Sequence, residues 1–113
     1  MRPWIKLPVD LLNDPKMGRM SDRLYRRTIE LLLIAGESWD NEGILPSVED
    51  MAWILRIDEA GLLDDLAALQ KLDIVHEDKA GNWVVTHFAE LQDTDERAAN
   101  YRRTATKRTA RYR

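Results

Sequence analysis

At 113 residues, with 44% hydrophobic and 33% charged side chains, the chain has material for one globular domain with a modest core and an appendage, not for two ordinary domains. It holds no cysteine, which excludes a disulfide framework and a Cys-ligated zinc, and its longest apolar run, LLLIA at 31–35, is far below the roughly 20 residues of a membrane-spanning helix. The net charge of −3 divides unevenly: residues 1–88 carry ten Lys/Arg against sixteen Asp/Glu, a balance of −6, whereas residues 89–113 carry seven against four, a balance of +3.

An acidic body with a basic end favours a nucleic-acid or acidic partner for the end only. With no cleavable signal in the sequence, the expectation is a soluble, cytosolic protein with no membrane partner.

In chain order, the opening WIKLPVDLLNDPKMGRMS places Trp4, Lys6 and Leu7 before a proline, then Val9, Leu11 and Leu12 as a short apolar turn ending at Asp14 and Pro15. A segment of this kind either covers the core or pairs with a second copy. DRLYRRTIELLLIAGE follows, with Leu24, Thr28, Leu31, Leu32 and Ala35 at the period of an amphipathic helix, Tyr25 and Ile29 widening the stripe, and Gly36 as its stop. In WDNEGILPS, turn residues surround Ile44 and Leu45, a brief strand before Pro46.

Ser47, three residues before Asp50, has the spacing of a capping box and opens a second helix, VEDMAWILR. Asp58 caps a third, EAGLLDDLAALQKL, with Ile57 and Leu62 at the two positions of a hydrophobic staple. About three residues join these helices, the spacing of a helix-turn-helix. Asp73 then falls where a left-handed residue ends a helix. IVHEDKAGNWVVTHF reads as a β-hairpin, two β-branched and aromatic runs around a turn rich in Asp, Gly and Asn.

Helix, short strand, helix, turn, helix, hairpin is the order of a winged helix, with a small α+β domain of another topology as the alternative. The expected fold is therefore mainly α with a small β-hairpin, a winged helix-turn-helix over residues 1–88 followed by a basic C-terminal helix or tail over residues 89–113. The segments WIKLPVDLLNDPKM, LLLIAGE, EGILPS, MAWILR, LAALQKLDIV and NWVVTHFAELQDTDERAANYRR together give the chain a further property. It resembles the N-terminal winged-helix domain of bacteriophage replisome-organiser proteins and the related DnaD-type primosome proteins. That resemblance implies a role in DNA-replication initiation, often with self-association through the winged-helix domain. Proteins of that kind usually continue into a further domain that engages the helicase or its loader.

In a helix-turn-helix the second helix normally enters the major groove, where Arg, Lys, Asn or Gln reads base edges. Here that helix offers Glu59, Asp64, Asp65, Ala68 and Lys71, between Asp58 and Asp73. A duplex carrying one negative charge per roughly 1.7 Å of axis repels such a face, so base reading is not expected there. Asp64 and Asp65, with Trp4, are candidate partner contacts instead. At the hairpin tip Lys79 stands beside Glu77 and Asp78, and Arg19, Arg23, Arg26 and Arg27 form the basic concentration of the body, with Arg26 and Glu30 placed to pair four residues apart. Lys79, Arg23 and Arg27 are secondary candidates for DNA contact.

The primary candidates lie in the closing run: Arg97, Arg102, Arg103, Lys107, Arg108, Arg111 and Arg113 for phosphates, Tyr101 and Tyr112 for stacking on bases. Asp93 and Glu96 have capping-box spacing, after which Arg103, Lys107 and Arg111 align at four-residue intervals if the segment is helical. Contacts of this kind are non-specific and salt-sensitive.

Catalytic and metal chemistry find no pattern. His76 and His87 stand several positions apart on the hairpin with no cysteine near, Asp64 and Asp65 diverge as neighbours on a helix, and no Gly-rich phosphate loop is present. No cofactor and no enzymatic activity are expected. Of four tryptophans, Trp53 and Trp83 are expected in the core and Trp4 and Trp39 on a partner surface. The leading expectation is a non-enzymatic replication-initiation protein of phage or prophage type that binds DNA through its basic run. A winged-helix interaction module without DNA affinity comes second and a transcriptional regulator third.

Overall fold

The computed structural model describes residues 4–37 and 42–92. The order is a 3-10 turn (Val9–Asn13), α1 (Pro15–Gly18), α2 (Asp22–Gly36), α3 (Val48–Leu55), α4 (Glu59–Lys71), β1 (Val75–Glu77), β2 (Trp83–Val85) and α5 (Phe88–Gln92). The protein is mainly helical with a small two-stranded antiparallel sheet, an α+β arrangement.

Local chemistry sets most of these boundaries. Ser21, Ser47 and Asp58 each accept a backbone N–H of the first turn of α2, α3 and α4, from Leu24, Asp50 and Gly61 respectively. The expected caps of α3 and α4 are thus formed. Both helices also end on left-handed residues: Arg56 at φ 58° after α3 and Asp73 at φ 60° after α4. In each case the next N–H reaches back into the helix, Ile57 to the Ala52 carbonyl and Ile74 to the Leu69 carbonyl, both at 3.0 Å. Each following residue is apolar and packs on the core, which turns the chain sharply with few exposed carbonyls.

β1 and β2 pair with Val75 opposite Val85, His76 opposite Val84 and Glu77 opposite Trp83. Ile44 forms a bridge to Val84 on the other edge of β2, supported by the Leu45 N–H on the Trp83 carbonyl (2.8 Å) and the Val85 N–H on the Gly43 carbonyl (2.9 Å). The expected brief strand at Ile44 and Leu45 is present as this bridge. It places β2 centrally, and Val84 and Val85 are buried accordingly.

One core joins these layers. Leu31, Leu32 and Ala35 of α2 meet Met51 of α3, Leu62, Leu66 and Leu69 of α4, and Val75, Val85 and Phe88 from the hairpin and α5. Full burial of such side chains stabilises by about 1.5–3 kcal/mol each before ordering costs are counted. Phe88 and Gln92 are both buried, so α5 crosses the expected boundary between residues 88 and 89 and belongs to the body.

The N-terminal segment lies over this core. Gln92 donates its side-chain amide to the Lys6 carbonyl (2.9 Å) and accepts the Lys6 N–H on its side-chain oxygen (2.8 Å), as a neighbouring strand would. Ile5 packs on Gly36, where a Cβ would meet its side chain. Gly36 does end α2, but close approach is a second reason for glycine there.

Gly43 combines two constraints. Its φ of +79° is a left-handed conformation, and a Cβ there would stand 2.5 Å from Phe88 Cβ. We expect Gly43→Ala to destabilise the fold by about 2 kcal/mol or more, read as a lower urea midpoint. A change below 0.5 kcal/mol would show that the bridge to β2 tolerates a different backbone.

Candidate functional site

α2 and α4 are tied by a buried charge pair. Arg27 and Asp65 are 8% and 4% exposed, and the guanidinium Nε donates to Asp65 Oδ2 at 2.9 Å. Arg27 Nη1 donates to Glu30 Oε1 at 2.8 Å, and Arg23 Nε lies 3.1 Å from Asp65 Oδ1. Asp65 is thus held by two arginines, and Arg27 by two carboxylates. The expected Arg26–Glu30 contact is present at 3.8 Å, with Arg27 the closer partner of Glu30.

This ion-pair geometry revises the expectations for Arg27, Asp65 and Arg23. Arg27 is not a DNA contact, because its charge is buried and consumed inside the fold. Asp65 is not a partner contact for the same reason. Arg23 keeps a largely exposed side chain but spends its guanidinium on Asp65. A separate correction concerns Trp53, expected in the core and found on the surface. Val48, Met51, Ala52 and Leu55 form the inward stripe of α3 at helical spacing, and Trp53 lies off it. Trp83 packs against the core as expected.

Periodicity carried a usable signal for two of these. Arg27 falls in register with Leu24, Leu31 and Ile34, and Asp65 with Leu62, Leu66 and Leu69, so each charge interrupts an apolar stripe. Opposite charges at such positions are candidates for one another. Gln92, the clamp on the N-terminal segment, had no comparable signal, because its partner is a backbone 86 residues away.

The other candidates stand apart. Asp64 is exposed on the outer face of α4, Trp4 is exposed on the N-terminal segment, and Lys79 is exposed at the hairpin tip beside exposed Glu77. His76 faces Val84 in the register and hydrogen-bonds Thr86 through Nδ1 (2.9 Å), whereas His87 lies beyond β2, with Nδ1 3.3 Å from Glu90. No group of three His, Cys, Asp or Glu suited to a metal occurs among the described residues. No helix among them is long and apolar enough to cross a membrane. Trp39 and the closing run, with Arg97, Tyr101, Arg102, Arg103, Lys107, Arg108, Arg111, Tyr112 and Arg113, lie outside the described residues.

The tip itself is built around Asp78. Its carboxylate accepts the N–H of Ala80 (2.9 Å) and of Asn82 (2.8 Å), and Gly81 turns the chain at φ +85°. The Asn82 N–H above all, with the Asn82 side chain and the N–H groups of Ala80 and Gly81, holds the Asp78 carboxyl below its usual 3.8. The tip is a hydrogen-bonded turn with an anionic centre, a poor start for insertion beside phosphates.

Compared with protein-family models, curated proteins and solved structures, the chain gives no significant match.

Removing Asp65 leaves Arg27 buried with half its partners. Asp65→Ala is expected to cost about 3 kcal/mol or more by urea unfolding, and Arg27→Met combined with Asp65→Leu to cost less than that single change. A loss under 1 kcal/mol for Asp65→Ala would remove the pair as the tie between α2 and α4. At the tip, a folded pKa below the unfolded one means that Asp78 stabilises the turn fully above pH 3.8 and loses this as pH falls through the folded value. NMR titration should place its midpoint below 3.8, and Asp78→Ala should speed amide exchange at Ala80 and Asn82. A midpoint at or above 3.8 contradicts the turn chemistry.

Proposed function

We propose that the chain is a non-enzymatic DNA-replication protein of the phage replisome-organiser kind: a winged-helix body that makes protein contacts, and a basic C-terminal run that holds nucleic acid through its phosphates. The observation that carries this reading is the double capture of Asp65. Arg23 and Arg27, the two α2 arginines expected as secondary DNA contacts, both pair with that carboxylate. The outer face of α4 then presents Glu59 and Asp64, and the hairpin tip sets Lys79 against Glu77. Phosphate affinity therefore falls to residues 89–113, with their balance of +3. Six of the seven basic side chains there, Arg102, Arg103, Lys107, Arg108, Arg111 and Arg113, all beyond the last acidic residue, give affinity without base reading.

The order of α2, bridge, α3, α4 and hairpin supports the winged-helix assignment, and α3 and α4 are joined through residues 56–58 at helix-turn-helix spacing. The acidic face of α4 weighs against a sequence-specific transcriptional regulator. A second reading, an interaction module without DNA affinity, is favoured by the exposed tryptophan on α3.

Fluorescence anisotropy on labelled single- and double-stranded DNA separates the two readings. The full chain should bind, with duplex affinity falling about a thousandfold between 50 and 200 mM salt, as expected for roughly six neutralised phosphates. The full chain with those six basic residues changed to Gln should lose binding at 50 mM salt. Undiminished binding by that variant would sink the assignment to the closing run, and no binding by either protein would leave the interaction module.

A further inference from the structure

α3 and α4 pack against each other on either side of residues 56–58, and their inward stripes are consumed by the core. Three large apolar side chains remain outside: Trp53 at 71% exposure, Ile54 at 45% and Leu63 at 46%. Trp53 precedes the connection by three residues and Leu63 follows it by five. At a rise of 1.5 Å per residue, both lie within about 8 Å of the connection along their helix axes.

The connection holds the indole in place. Arg56, set by its left-handed backbone, has its guanidinium carbon 5.1 Å from the centroid of the Trp53 ring. A cation on one face of an indole restrains it and leaves less ordering entropy to lose when another molecule covers it. Exposed tryptophans are enriched among the residues that carry a disproportionate share of binding energy in protein interfaces.

Charge around the patch selects the occupant. Glu49, Asp50, Glu59 and Asp64 are exposed, and none forms an ion pair with a described residue, whereas Arg56 and Lys71 are the exposed cations of the two helices. Apolar anchors within a mostly anionic rim are complementary to a helix with an apolar stripe flanked by Lys or Arg. The same rim disfavours phosphates and a second copy of this face, each of which would bring negative charge to negative charge.

We propose that the Trp53–Ile54–Leu63 face of α3 and α4 is the docking site for a cationic amphipathic helix of a partner protein. This rests on the protein-contact half of the function proposed above and not on its DNA half. The partner's apolar side chains cover Trp53 and Leu63, and its Lys or Arg residues meet Glu59 and Asp64. Asp65, buried beneath, positions α4 without touching the partner.

The test uses the full chain and a labelled peptide of about 18 residues, made of Leu and Lys with the leucines at helical spacing, beside a counterpart with Glu for Lys. The Lys peptide should bind and the Glu peptide should not. Trp53→Ala and Leu63→Ser should each weaken binding about tenfold with unchanged circular dichroism and urea midpoint, and Asp64→Lys should weaken it severalfold. Equal binding by wild type and Trp53→Ala, or no binding, overturns the proposal. Binding that rises tenfold when the six basic residues of the closing run are changed to Gln assigns the face to that run and overturns it too. So does sedimentation showing a dimer that Trp53→Ala dissociates. Since DNA is absent from this assay, its failure leaves the anisotropy result standing, and the converse also holds.

Discussion

Arg27 and Asp65 occupy the middle of the apolar stripes of α2 and α4, and the packing of those helices depends on their meeting. A lone guanidinium or carboxylate there would face a desolvation penalty of several kcal/mol. Paired at 2.9 Å, with Glu30 and Arg23 completing the network, the two charges are admitted to the interior. Apolar surfaces can slide over one another with little change in energy. A directional pair favours one alignment, that of α4 on α2 seen here.

That register decides which residues remain for partners. With Asp65 turned inward, its neighbour Asp64 is turned outward, along with Glu59 and Leu63. α2 gives up the charge of Arg27 to the interior, and Arg23 pairs with the same carboxylate from an exposed position. The body is left with an anionic outer surface on the helix that would meet DNA in a nucleic-acid reader. The division of labour proposed here, protein contacts by the body and phosphate contacts by the closing run, follows from that one buried carboxylate.

Backbone turns and one buried side-chain amide complete the frame. Left-handed Arg56 and Asp73 turn the chain within one residue at each end of α4's neighbourhood, and Gly43 does so where Phe88 leaves no room for a Cβ. Gln92 replaces a missing strand partner for Lys6. Each reconciles a sharp change of direction, or an isolated backbone, with the requirement that buried polar groups be paired. Arg56 serves twice, as a helix terminator and as the cation against Trp53.

The longer helices and the hairpin were legible along the chain because their causes are local, whereas α5, read as the hairpin's end and the start of the tail, was not. Ser47 and Asp58 lie within one turn of the amides they accept, the stripe through Leu24, Thr28, Leu31 and Ala35 needs only helical period, and the Asp, Gly and Asn of the hairpin tip form their turn among themselves. Candidate surfaces were less legible. Arg23 and Arg27 look like part of a basic patch until a carboxylate 38 residues away from Arg27 is brought against them, and Trp53 looks like core by composition although α3's own stripe excludes it. What the sequence determined by itself is the three longer helices, the caps of α3 and α4, the hairpin turn and the separation of an acidic body from a basic end, all of which depend on residue type and short spacing. Which charges are spent and which are displayed was decided only by the tertiary structure, because burial and pairing belong to two helices in contact and to neither alone.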